Sequence, residues 1–143
     1  MNTLRTINMF LAILIIVCIS TAAYAGYTGK QPLIQPEVLH QKIIDNKLDD
    51  IVILDVRTAK EFAEGHVPNA INISHDELPL NLSQLKTLQD KTIVVYCRSG
   101  RRAGIAEDIL SEQGFNHIQH LAGDMKGWRA AKLPIEKPAN ESK

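Results

Sequence analysis

The sequence is poor in cysteine, has no excess of charge of either sign, and carries no apolar run long enough to span a bilayer. Among its 143 residues only Cys18 and Cys97 are cysteines, which leaves no disulfide framework to read. Lys plus Arg equals Asp plus Glu at 16 each, so the general basic field that holds nucleic acid or an acidic membrane is excluded. Any anion site must be local. The longest unbroken apolar stretch, residues 9–19, falls short of the ~18 to 20 residues of a spanning helix. His117 and His120 have no companions at a recognisable zinc spacing, so neither a metal nor another cofactor is expected. There is no internal repeat and no low-complexity block, and an apolar content of 45% with 22% charged residues suits one globular unit.

What is present begins with an address. Arg5, the apolar residues 9–19 and then Ala23-Tyr24-Ala25 follow the order of a secretory signal, with cleavage expected after Ala25. The chain is therefore expected to be exported, to a periplasm, without stable membrane insertion; the alternative is an uncleaved membrane anchor. Cleavage would remove Cys18 and leave Cys97 as an unpaired thiol in an oxidising compartment. Such a thiol either has a task or packs as a small hydrophobe.

Residues 26–32 are expected to be a flexible lead-in, 33–133 the folded domain and 134–143 a disordered tail. Pro36 opens an amphipathic helix with Val38, Leu39, Ile43 and Ile44 at helical spacing. The β-branched runs 51–54 and 92–96 fit strands buried on both faces, and weaker strands are expected near 71–73 and 117–121. Short helices are expected over 58–63, within 74–90 and near 125–131, and a longer one over 103–113, stopped by Gly114. This alternation predicts an α/β fold with a mainly parallel sheet covered by helices on both faces. Ligands of such folds sit beyond the carboxyl ends of the strands, where Asp55 and Cys97 fall.

The stretch Tyr96-Cys97-Arg98-Ser99-Gly100-Arg101-Arg102-Ala103 joins the strongest strand to the longest helix. Such a junction aims backbone N–H groups and the positive end of the helix dipole at one point, which favours an anionic, nucleophilic sulfur. Gly100 allows the backbone to curl around that sulfur. Arg101 and Arg102 stand in or near the first helical turn, where a cation opposes the dipole by about 0.3 to 1 kcal/mol, so an anion nearby is expected to offset them.

Cys97-Arg98-Ser99-Gly100-Arg101-Arg102 resembles the six-residue active loop of the rhodanese family. Asp55-Val56-Arg57, Gly65-His66-Val67-Pro68-Asn69-Ala70-Ile71-Asn72, and Leu121-Ala122-Gly123 followed by Trp128 resemble further motifs of that family, in its order. The resemblance covers about residues 34–133. It implies a rhodanese-like α/β domain with a parallel five-stranded sheet, and transfer of a sulfane sulfur from thiosulfate or a similar anion to a thiol or cyanide acceptor. It also implies that Cys97 forms a persulfide, that the backbone of Arg98, Ser99, Gly100, Arg101 and Arg102 cradles the sulfur, and that the arginines meet the donor's sulfonate. The family often has Gly-Gly where this chain has Ala122-Gly123.

Two other classes compete. A persulfide carrier for a partner protein would use the same loop without turnover. A cysteine-dependent phosphatase or arsenate reductase needs arginine six positions after the cysteine, where this chain has Ala103. His66 is expected to be structural, Asp55 with Arg57 a brace, and Trp128 part of the core; the oligomeric state is not legible.

Overall fold

The computed structural model describes residues 30–138, so the expected signal segment, residues 26–29 of the lead-in and residues 139–143 of the tail lie outside the described residues. The elements run β1 (Leu33–Ile34), α1 (Pro36–Ile44), β2 (Ile51–Asp55), α2 (Ala59–Ala63), β3 (Ile71–Asn72) and α3 (Leu78–Leu85). They continue through a 3-10 turn (Lys86–Leu88) to β4 (Thr92–Tyr96), α4 (Arg101–Glu112), β5 (Ile118–Leu121) and α5 (Asp124–Ala130).

The five strands form one sheet in the order β1-β5-β4-β2-β3, and every neighbouring pair is parallel. Central β4 pairs along its whole length with β2, from Ile51 opposite Thr92 to Asp55 opposite Tyr96. Its side chains alternate between two cores, as the two-residue period of a strand requires. Ile93, Val95 and Cys97 join one cluster with Leu78 and Leu85 of α3 and Ala103, Ala106 and Leu110 of α4. Val94 and Tyr96 join the other with Leu39 of α1 and Met125 and Trp128 of α5. Both faces are thus covered by helices, and the apolar strands 51–54 and 92–96 are explained by burial on both sides.

Local chemistry sets the helix ends. Thr58 caps α2 in a reciprocal capping box with Glu61. Pro79, which blurs the sequence reading of 74–90, lies in the first turn of α3, where a missing N–H costs nothing. Gly114 turns left-handed (φ +86°) and the Phe115 N–H reaches back to the Leu110 carbonyl at 3.1 Å, closing α4 as expected. Helix α4 starts at Arg101, two residues before the expected start, so both arginines belong to its first turn.

One expectation needs correction. The tail is not disordered from its beginning: His66 and Glu136 exchange two backbone hydrogen bonds of 2.9 Å, and the Trp128 indole donates to the Pro134 carbonyl at 2.8 Å. At the other end the first strand starts at Leu33, an edge too brief for a periodic signal, and the Pro32 carbonyl before it accepts from the His120 N–H. Among the described residues no helix is long and apolar enough to cross a membrane.

Candidate active site

The parallel strands bring Asp55, at the end of β2, and Cys97, just past β4, to the same sheet edge. Cys97 is buried at 2% exposure and roofed by its own loop. The Gly100 N–H points at its sulfur, 3.1 Å from Sγ, from the residue that caps the 12-residue helix α4. That geometry needs Gly100 at φ +105°, which L side chains rarely adopt. The loop is also stitched from behind: the Met125 and Lys126 N–H groups donate to the carbonyls of Cys97 and Arg98.

The arginines divide their work. Arg102 grips Glu61 with two bonds of 2.6 and 2.8 Å. This contact holds the Glu61 carboxyl down to about 2, with the Thr58 bonds adding to it against the cost of burial. Arg102 is kept protonated chiefly by Glu61, and in smaller part by the neighbouring Cys97 sulfur. Arg101 and Ser99 are exposed. Arg98 is exposed on a cleft of about 520 Å³ that it shares with Arg57, Glu61, Glu64, Met125, Lys126 and Arg129. With Glu61 tied to Arg102, the cleft retains a basic excess suited to an anion.

Asp55 and Arg57 form the expected brace. The guanidinium binds the carboxylate through Nε at 3.0 Å and Nη2 at 2.6 Å, and Nη2 also reaches the Gly65 carbonyl at 2.9 Å. Burial works against the Arg57 charge, but Asp55 outweighs it and raises the guanidinium further. Arg57 stands 5.8 Å above the Tyr96 ring. Burial, reinforced by the Asp55 charge, raises the Tyr96 phenol, whose oxygen accepts from the Val67 N–H. His66 stacks on Phe62 and bonds its carbonyl, which fits a structural part.

Sequence reasoning missed a buried polar cluster behind the loop. His120 Nδ1 lies 2.5 Å from Glu107 Oε1 and Nε2 lies 3.1 Å from Asp124 Oδ2, while Asp124 Oδ1 accepts from the Cys97 N–H at 2.8 Å. All three residues are at most 2% exposed. Burial disfavours the His120 charge, yet Asp124 and Glu107 outweigh it and raise the imidazole to about 9. A signal existed: Glu107 interrupts the apolar face of α4 made by Ala103, Ala106 and Leu110, and His120 shares the face of Ile118 on β5.

Two consecutive residues behind the loop are left-handed, Gly123 (φ +72°) and Asp124 (φ +56°), whereas Ala122 is packed against the core. An L residue in that conformation costs about 1 to 2 kcal/mol, least for Asp and Asn. Asp124 holds it while bonding both His120 and the Cys97 backbone.

The one cysteine among the described residues, cradled at the N-terminus of a helix and at the carboxyl edge of a five-stranded parallel sheet, defines the class of protein. Residues 35–131 match the family model described as the rhodanese-like domain, and the chain belongs to that family. A sulfurtransferase of Allochromatium vinosum is 33% identical over 105 residues, covering 73% of this chain and 94% of that protein. The thiosulfate sulfurtransferase PspE of Escherichia coli is 36% identical over 70 residues, 49% of this chain and 67% of that one. A crystal structure of a rhodanese-related protein from Thermoplasma volcanium superposes with a TM-score of 0.63 at 28% identity, covering 73% of this chain and 97% of the other.

Proposed function

We propose that this chain is a sulfurtransferase in which Cys97 carries a sulfane sulfur as a persulfide. The Cys97 thiolate attacks the outer sulfur of thiosulfate or a similar anion; the donor S–S bond breaks and its electron pair leaves with sulfite. An acceptor thiolate or cyanide then attacks the outer sulfur of the persulfide, and the electron pair of the broken bond returns to Cys97. No metal is needed in either step.

The observation that carries this reading is the Gly100 N–H directed at Sγ from the start of α4, beside the basic cleft lined by Arg98. In this reading Arg98 meets the donor's sulfonate, Arg101 adds charge at the rim, and Arg102 closes the loop against Glu61. Ser99 and Gly100 supply backbone that admits one sulfur atom. A phosphatase is disfavoured because the position its arginine requires is Ala103, which is fully buried. We further propose that residues 1–25 direct export.

Purified protein treated with thiosulfate is expected to gain one sulfur atom, placed on Cys97 by intact mass and peptide mapping, and C97S to gain none. Steady turnover with cyanide marks an enzyme, whereas stoichiometric loading without turnover marks a carrier. Loading that persists at full stoichiometry in C97S would refute the proposal.

A further inference from the structure

Glu107, His120 and Asp124 form a line of buried polar groups that ends on the backbone of Cys97 and is not used by the chemistry proposed above. Both imidazole nitrogens face carboxylate oxygens, and an ionised carboxylate only accepts, so this arrangement is satisfied when both nitrogens carry hydrogen. Glu107 reaches the ring from α4 and Asp124 from the start of α5, with Cys97 beyond Asp124. Strands β1 and β4 place the apolar Leu33 and Val95 in register with it on either side.

Asp124 holds a backbone conformation that an L residue adopts at a cost, at a position a glycine would fill freely. Its carboxylate also reaches the loop itself: a Cβ added to Gly100 would stand 3.4 Å from Asp124 Oδ2. The residue is therefore placed to fix where the Cys97 amide, and the turn that follows it, can lie.

We propose that Asp124, held by His120 and Glu107, is a positioning residue for Cys97, so that one buried proton couples the sulfur loop to alkaline pH. When His120 loses the proton on Nε2, the nitrogen with the longer of its two contacts, that nitrogen becomes an acceptor facing Asp124 Oδ2. The contact turns repulsive, Asp124 is released, and the Cys97 amide loses its partner. This rests on the assignment of sulfur transfer to Cys97, and its test is arranged to separate the two.

The test follows the His120 ring and the Cys97 amide by NMR across neutral to alkaline pH, with no sulfur donor present. The Cys97 amide resonance is expected to move with the His120 titration in the wild type and to lose that dependence in D124G. D124G favours the left-handed backbone, so it is not strained there, and circular dichroism checks its folding. Its kcat with thiosulfate and cyanide is expected to fall about tenfold or more, since small misplacements are costly. KM should stay within about twofold, because Asp124 does not meet the donor. D124N still offers an oxygen to the Cys97 N–H and should restore most of kcat at neutral pH, but with a shifted alkaline limb. A Cys97 amide indifferent to His120 titration, or folded D124G with wild-type kcat and an unchanged alkaline limb, would overturn the proposal. Linked titration in a protein that transfers no sulfur would sustain the positioning role and remove the chemistry instead.

Discussion

Replacing Arg57 by Met tests how much of the site's scaffold depends on one buried ion pair. Arg57 and Asp55 are 4% and 0% exposed, and the guanidinium spends its donors on the Asp55 carboxylate and the Gly65 carbonyl. Met keeps the apolar stem and deletes only the head. Asp55 then retains the Arg57 backbone N–H at 2.9 Å as partner but loses the balancing charge. Removing one member of a buried pair costs about 3 to 5 kcal/mol, against a total stability of about 5 to 15 kcal/mol for a domain. With a urea slope near ~1.5 kcal/mol per molar, the unfolding midpoint should fall by about 2 to 3 M. D55N-R57M leaves a neutral group in place of the stranded charge and should recover at least half of that loss. A drop below about 0.5 M for R57M, or a double variant no better than the single one, would refute the reasoning.

The His120 titration also has a stability consequence. Its imidazole is raised from 6.5 to about 9 in the folded chain, so the stabilisation is complete below about 6.5 and is lost as pH rises through about 9. The melting temperature should therefore decline over that window, and a flat profile there would contradict the imidazolium. Ending the chain after Leu133 removes the paired His66–Glu136 backbone bonds and the acceptor of the Trp128 indole, and should cost about 1 to 3 kcal/mol by chemical denaturation. An unchanged midpoint would return residues 134–136 to the status of a loose tail.

The elements that could be read from sequence are those whose own residues carry a periodic or punctuating signal. Strands β2 and β4 are short runs of β-branched residues, and α4 ends where Gly114 permits the left-handed turn. Cys97 is marked by its place between a strand and a helix among three arginines. What escaped is long-range: Arg102 meets Glu61 across 41 positions, and Glu136 pairs with His66 across the domain. The buried cluster escaped for a different reason. Glu107, His120 and Asp124 lie on three separate elements, and each is an ordinary surface residue type when taken alone. Only folding makes them neighbours.

The alternation along β4 makes the sulfur the last inward rung of a ladder whose lower rungs are Ile93 and Val95, packed under α4. Ala103 and Ala106 let that helix lie low over the rungs, and the residue that caps the same helix is the one whose N–H reaches the sulfur. A bulkier residue at either alanine would lift the near end of the helix and draw the donor off its target. The environment of the sulfur would then change through a side chain on the helix above it, because the floor beneath Cys97 and the middle of the protein are the same surface.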